Sequence, residues 1–324
     1  MRITCAGLLL LSLFSAAGVA QHETSPPSTV DGRPDLHGVW VNQSATPLER
    51  PAEVNGQRDL TLVEVAELQR RADRLTENDA NDAVLGDNLF LAAWTDVNRF
   101  KNPNTTAGAT YQERRIFENR TSLIVDPPDG RIPYTPRGRA RFEAMLASRV
   151  NPPDNPENLA NEVRCLTYEV PRLRGGAFNY VDIVQTRDHV VLSLEHIHEV
   201  RIIPLTTAPH ASPAIRRWSG DARGHWDGHT LVVDTTNFTS ENNYVGSDEN
   251  LHLIERITRV GPDAIDYQTT LDDPTAWTRP WTALVHMLLY RHLEKNAQLV
   301  EFKCVPFVEE LMYGHLRKQP TPAR

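Results

Sequence analysis

Residues 217–238 read RWSGDARGHWDGHTLVVDTTNF, and this stretch indicates the fold more clearly than any other part of the chain. The run Leu231–Val233 is apolar and β-branched, which is typical of a strand, and Asp227-Gly228 before it is a strong turn signal. With Arg217–Ser219 as the preceding strand, the stretch predicts a β-hairpin. Its charged groups, histidines and two tryptophans indicate a functional site at the rims of this hairpin.

The same sequence pattern continues on both sides of the hairpin, where short apolar runs alternate with turn signals such as residues 186–188 and 261–263. Close spacing of this kind favours antiparallel strands over βαβ units. The predicted strands are Tyr180–Gln185, His189–Glu195, Glu199–Ile203, Arg217–Ser219, Thr230–Thr236, His252–Val260, Ile265–Leu271, Trp281–Leu289 and Val300–Lys303. The predicted fold is therefore mainly β: an antiparallel, lipocalin-like β-barrel or a β-sandwich, with a few peripheral helices.

The N-terminal half predicts two strands and two helices. The strands are Leu36–Val41 and Ser122–Val125. Thr61 and Glu64 form a capping-box pattern ahead of apolar residues at helical spacing, which predicts a helix over residues 62–75. Thr135-Pro136 is an N-cap followed by an N1 proline, which predicts a second helix over residues 137–149. At the other end of the chain, residues 307–316 predict a short terminal helix.

The first residues are typical of a secretory signal peptide, with Arg2, an apolar run over residues 8–14 and small residues ending at Ala20. The apolar run is shorter than the roughly 20 residues that span a bilayer, so we expect export without membrane insertion, to the periplasm or the medium. The predicted organisation is a signal peptide (1–20), an N-terminal extension whose two helices pack on the core (21–160), and a barrel domain (161–324).

The composition argues against several classes of partner. The chain has 324 residues and a formal net charge of −8, without the clustered basic face that binding to a phosphate backbone requires, so nucleic acid is not an expected partner. The sequence contains neither a glycine-rich phosphate loop opening a helix nor a Gly-x-Ser-x-Gly elbow. We therefore expect no cofactor and no conventional serine hydrolase mechanism.

Cys165 and Cys304 remain after the predicted cleavage of the signal peptide. In an oxidising compartment, two thiols far apart in sequence favour a disulfide, which would join the last strand to the start of the β region. The alternative is a pair of buried free thiols.

Several strings resemble a large family of exported bacterial proteins, common in acidobacteria and proteobacteria, whose activity is not characterised. The strings are RGHW-x-G-x-TLVVDTTNF from residue 223, ENLHL from 249 and DDP-x-x-WTRPW from 272, with RPDLHGVW from 33 and the segment 120–133. The resemblance covers the mature chain and implies export, but no particular catalytic residues. The chain departs from the family pattern at His196, at His229 and at Cys304-Val305-Pro306.

His196-Ile197-His198 would place both imidazoles on one face of a regular strand, as metal sites do with two of their ligands. His210, His225, His229 or His252 would then supply a third ligand. Because an H-x-H pair is a weak signal, the prediction is that the protein holds no metal.

The candidate catalytic residues are those that hold or move protons: His198, Asp221, His225 and Glu255. The candidate substrate-binding residues offer cations or stacking faces: Arg201, Arg223, Arg279, Trp218 and Trp226. Structural alternatives stay open for the charged residues. His198 at a strand end could equally bond to a backbone carbonyl. Asp221 and Arg223 could form a salt bridge that stabilises a turn. One of Glu255 and Arg256 must face inward, either as a functional charge or as part of a buried ion pair.

Two functions follow. The first is a cofactor-independent enzyme, a lyase or isomerase or else a hydrolase, that moves protons on a small organic substrate inside the barrel. The second is a non-catalytic exported protein that binds a small molecule or a carbohydrate. An enzyme should bring an imidazole and a carboxylate to one substrate position, whereas a carrier should show a mainly apolar pocket with polar groups at its margin.

Overall fold

The computed structural model describes residues 27–76, 87–97, 114–148, 159–161, 164–167, 170–175, 179–242 and 244–290. The helices are α1 (Leu62–Thr76), α2 (Asp87–Trp94) and α3 (Pro136–Ser148). The strands are β1 (Gly38–Val41), β2 (Ile124–Asp126), β3 (Tyr180–Gln185), β4 (His189–Leu194), β5 (Val200–Pro204), β6 (Asp221–Asp227), β7 (Thr230–Thr236), β8 (His252–Gly261), β9 (Ala264–Asp272) and β10 (Trp281–Leu289).

The ten strands form one antiparallel sheet that curls into a nearly closed barrel, which confirms the predicted fold class. Nine strands follow each other around it in the order β5-β4-β3-β1-β10-β9-β8-β7-β6, and β2 pairs with β10 beside β1. The end strands β5 and β6 meet through a single parallel bridge, Leu205 to Gly224. This junction of β5 and β6 is called the seam below.

The apolar side chains at alternate strand positions point inward and fill the barrel. On β8 and β9 every second residue is buried, with Leu253, Ile257, Ile265 and Leu271 among them. Because successive side chains point to opposite faces, the same alternation also turns Glu255 inward. The interior is therefore apolar, with a few polar groups at defined positions.

The barrel is not confined to residues 161–324, because β1 and β2 come from the part predicted as an extension. β1 lies between β3 and β10, with Trp40 in register with Val181 and Leu289. A four-residue strand signal does not reveal its partners, since pairing between distant segments depends on tertiary packing.

The two predicted helices form, and the predicted capping box closes α1. The Thr61 N–H donates to Glu64 Oε2 at 2.7 Å, and the Glu64 N–H donates to Thr61 Oγ1 at 3.3 Å. The sequence analysis missed α2, whose segment DNLFLAAW is too uniformly apolar to show helical periodicity. α1 and α2 pack together in a smaller core around Leu68, Phe90 and Phe117.

The predicted strand Arg217–Ser219 is wrong. Residues 218–220 make a turn that ends at Gly220, which has a φ of 70°, and β6 starts at Asp221. The predicted strand Val300–Lys303 and the predicted helix over residues 307–316 lie outside the described residues. Among the described helices, none is long and apolar enough to cross a membrane.

Candidate functional site

The seam opens into a cleft where β5 and the residues before β6 diverge. The two strands are tied at one end, where the Thr206 N–H donates to Gly224 O at 3.1 Å. Away from that bond lies an open cleft of about 530 Å³. The cleft is lined by His189, Val200, Arg201, Ile202, Pro204, Arg217, Trp218, Ser219, Gly220, Asp221, Ala222 and Arg223. Four of the predicted site residues, Arg201, Trp218, Asp221 and Arg223, thus share one cleft.

Arg201 points from β5 into the barrel and forms a fork-to-fork pair with Glu255 of β8. Its Nη1 donates to Oε1 at 2.8 Å and its Nη2 to Oε2 at 2.6 Å. Tyr267 of β9 donates its hydroxyl to Glu255 Oε1 at 2.6 Å, and Thr235 Oγ1 lies 3.4 Å from Arg201 Nη2. All four side chains are buried. Of the two alternatives for Glu255, the structure therefore shows a buried ion pair, while Arg256 faces outward and binds Asp227 at 2.8 Å.

The protonation of this network follows from its burial. Burial disfavours the charge on Arg201, but the adjacent Glu255 carboxylate more than offsets this and raises the arginine pKa above its ordinary value. Burial and the same carboxylate raise the pKa of Tyr267 well above 10.0. Tyr267 therefore stays a neutral hydrogen-bond donor, and the network keeps a fixed geometry.

An interior cavity of about 40 Å³ lies on the barrel side of Arg201. Most of its lining is aliphatic, and the lining residues are Val170, Arg172, Asn179, Val181, Ile183, Leu192, Leu194, Arg201, Ile257, Ile265, Tyr267 and Met287. Arg201 lines both the cavity and the cleft. Its Nε is buried and has no hydrogen-bond partner within the described part of the chain.

A second polar cluster, the outer cluster, consists of Asp221, His210, Asp234 and His252. His210 bridges the two carboxylates, with Nδ1 3.2 Å from Asp221 Oδ2 and Nε2 3.3 Å from Asp234 Oδ1. His252 Nε2 lies 3.0 Å from the same Asp234 oxygen. The imidazole of His210 therefore links the carboxylates of Asp221 and Asp234.

Asp221 is the most constrained member of the outer cluster. Its burial acts to raise the carboxyl pKa, but the Ala211 N–H at 2.9 Å, Arg223 Nη1 at 3.0 Å and His210 outweigh that effect. The net pKa lies below its usual value of 3.8. The Asp221–Arg223 pair is thus the local salt bridge that the structural alternative described, and it also lines the cleft.

The H-x-H pair does not lie on a strand. His196–His198 forms a 3-10 turn between β4 and β5, in which Ile197 has a φ of 54°, so the expectation of a regular strand at these residues is wrong. Burial and the nearby Arg172 lower the pKa of His196 to about 4, which keeps that imidazole neutral. The position of the His198 side chain lies outside the described part of the structure.

Three predicted site residues lie away from the cleft. His225 is exposed on β6, and Trp226 packs against the barrel core. Arg279 lies in the β9–β10 loop, where it binds Asp126. The structure therefore does not gather all the predicted residues in one cavity. Trp226 lies on the other face of β6 from Asp221 and Arg223, His225 lies beyond the Leu205–Gly224 bridge, and Arg279 belongs to a different loop.

The sequence analysis missed Tyr267 as part of the site and considered His210 and His252 only as metal ligands. Alternation along β9 could have placed Tyr267 inside, but only the register of β8 with β9 places it beside Glu255. His210 lies in a loop without periodicity. Across the described ranges, no group of three or more His, Cys, Asp or Glu side chains is arranged to hold a metal ion.

Comparison of the chain with protein-family models, curated proteins and solved structures finds no match. Membership of the family of exported bacterial proteins therefore stays a prediction.

Proposed function

We propose that the protein binds a small molecule in the interior of the barrel, with Arg201 as the anchoring group. The observation that carries this proposal is Arg201, which lines a mainly apolar cavity and whose buried Nε has no hydrogen-bond partner among the described residues. A buried donor without an acceptor is costly, and a ligand oxygen at this position would remove that cost. A ligand pocket of apolar walls with a few fixed polar groups is the pattern expected of a carrier.

The ion pair prepares Arg201 for this role. Glu255 holds two of its nitrogens, so the guanidinium is already ordered before a ligand arrives and less entropy is lost on binding. Tyr267 also lines the cavity and donates to Glu255, and Thr235 Oγ1 lies 3.4 Å from Arg201 Nη2.

The cavity also limits the ligand. One water needs about 10–15 Å³ of such space, so a cavity of about 40 Å³ accepts a slim group of a few heavy atoms. A narrow aliphatic or planar moiety that ends in an oxygen acceptor meets both the size and the polarity of the site.

Filling the cavity tests the proposal. Ile257 lines the cavity, whereas Ile254 on the same strand faces the other side of the sheet. Native mass spectrometry of the purified protein should show a retained small molecule in the wild type and in Ile254→Phe, but not in Ile257→Phe. A ligand that Ile257→Phe retains equally would refute binding in this cavity.

An acid–base enzyme is the second candidate, and one observation favours it: Asp221 lines the cleft and is bonded to His210. If a substrate displaces Asp234 from His210, the freed Nε2 can take a proton from a carbon next to a carbonyl, as in a lyase or isomerase, or activate water in a hydrolase, while Asp221 holds Nδ1. Incubation of the retained ligand with the protein in D₂O should then add deuterium to the ligand. His210→Gln should abolish this exchange, while His225→Gln on the exposed part of β6 should preserve it.

Export belongs to the same proposal, supported by the residues that precede Gln21. N-terminal sequencing of the protein from its native host should begin at Gln21, and a retained Met1 would contradict it.

A further inference from the structure

A segment of the N-terminal half joins the barrel to the smaller core around α1 and α2. This segment, residues 114–123, is called the strap below, and it leads directly into β2. On one side Phe117 packs in the smaller core, and its N–H donates to Gln69 Oε1 of α1 at 3.3 Å. On the other side the Leu284 N–H of β10 donates to Leu123 O at 2.9 Å. The strap therefore couples the helical core to the barrel wall.

Two charged side chains of the strap lie against β10. Arg120 Nη1 donates to Leu284 O at 3.2 Å, and Arg120 Nη2 donates to the carboxylate of Glu118. Both side chains are mostly buried. Glu118 Oε2 in turn lies 3.9 Å from Nε2 of His286, which is on the same outward face of β10 as Leu284. An acidic residue of the strap is thus next to an imidazole of the barrel wall.

His286 lies between two carboxylates. Its Nδ1 is hydrogen-bonded to Asp266, the residue opposite it on β9, and its Nε2 is on the side of Glu118. An imidazolium carries a proton on each nitrogen and is attracted by both carboxylates. A neutral imidazole that donates to Asp266 instead turns an unprotonated Nε2 toward the Glu118 carboxylate. The contact between His286 and the strap is therefore attractive only in the protonated form.

We propose that His286 is a pH-sensitive latch, which holds the strap against the barrel when it is protonated and releases residues 118–121 when it loses its proton. The release is local, because backbone hydrogen bonds at Ile116 and at Leu123 hold the strap on either side of these residues. The latch is independent of the proposed ligand cavity, since none of its residues lines that cavity.

The charges around His286 determine the pH at which the latch opens. Among the described residues, Asp266 acts on it from β9, and Glu118 and Arg120 act on it from the strap. The hydrogen bond to Asp266 raises the pKa of His286 and the Glu118 carboxylate adds to this rise, while burial and the Arg120 guanidinium act in the opposite direction. The net pKa lies above the ordinary value of 6.5. The stabilisation by the latch is therefore complete below pH 6.5 and is lost as the pH rises through the folded-state pKa.

Hydrogen exchange of the full mature protein tests the latch, if it is followed by NMR at about pH 5.5 and about pH 8 and corrected for the intrinsic exchange rates. The reporting amides are those of Leu60, which donates to Asn119 O at 2.6 Å, and of Thr121, which donates to Arg58 O at 3.1 Å. Their protection should fall about 2- to 5-fold from the lower to the higher pH, as expected for the loss of a partly exposed ion pair. The amides of β8 and β9 should keep their protection, because only the strap opens.

Two variants identify the group that titrates. His286→Gln should make the protection of Leu60 and Thr121 independent of pH in this range, and it should fold, because the His286 side chain is 44% exposed. His225→Gln, at an exposed position of β6, is the matched control and should keep the pH dependence. In Asp266→Asn the imidazole of His286 should titrate at a lower pH than in the wild type, as its NMR chemical shifts measure, and the fall in protection should move to lower pH with it.

Protection of Leu60 and Thr121 that does not change with pH in the wild type would overturn the proposal. So would a pH dependence that His286→Gln retains, because another group would then be titrating. An equal fall in protection at β8 and β9 would also refute the latch, since the whole fold and not the strap would then respond to pH.

Discussion

Replacing Arg201 by Met should destabilise the protein strongly, because it leaves Glu255 as a buried carboxylate without its cation. Both groups are less than a tenth exposed. Removing one partner of a buried ion pair typically costs about 3–5 kcal/mol, since the remaining charge has lost its compensation. Tyr267 would still donate to Glu255, which places the expected loss toward the lower value, about 3 kcal/mol.

The double variant Arg201→Met, Glu255→Gln separates the loss of the pair from the loss of packing. The glutamine side chain introduced by Glu255→Gln has no charge and keeps an oxygen that can accept from Tyr267, so we expect the double variant to recover most of the lost free energy of unfolding. Replacing a buried pair by neutral groups of similar volume is often neutral or stabilising, by about 1–4 kcal/mol. The coupling between the two positions should therefore amount to several kcal/mol.

Urea unfolding of the wild type, the two single variants and the double variant at pH 7 measures the free energies. If Arg201→Met and the double variant lose the same free energy, the ion pair is not what holds this wall of the barrel.

Three further predictions concern other parts of the molecule. Because the pKa of Asp221 is lowered in the folded state, its carboxylate stabilises the fold above pH 4, and this stability is lost as the pH falls through the folded-state pKa. Asp221→Asn should therefore flatten the acid limb of a plot of unfolding free energy against pH. An unchanged acid limb would contradict this. Gly138→Ala should lower the free energy of unfolding by about 1–3 kcal/mol in urea, because the added Cβ would lie 2.0 Å from the backbone oxygen of Ala276. The loss is expected although alanine favours helices. The control Glu143→Ala, on the exposed face of α3, should change stability little. Non-reducing peptide mapping should find Cys165 linked to Cys304, a bond that contributes on the order of 4 kcal/mol, and two alkylatable thiols in the exported protein would exclude it.

The sequence by itself determined the local elements of this protein. Period-two alternation located β8, β9 and β10 to within one residue, and the capping box located α1, because these signals arise from contacts between residues close in the chain. The sequence did not predict α2, and it wrongly predicted a strand at residues 217–219. In the first case no polar face marked the helix, and in the second the turn at Gly220 displaced the strand.

The candidate site was determined only by the tertiary structure. The sequence required one of Glu255 and Arg256 to face inward, but the curvature of the barrel brings Arg201, 54 residues away, to Glu255, and the strand register adds Tyr267. His210 reaches Asp221 and Asp234 only because its loop folds back on β6 and β7. Composition and periodicity determine which face of a strand is buried, whereas the closure of the sheet determines which buried groups meet, since that depends on contacts between residues distant in sequence.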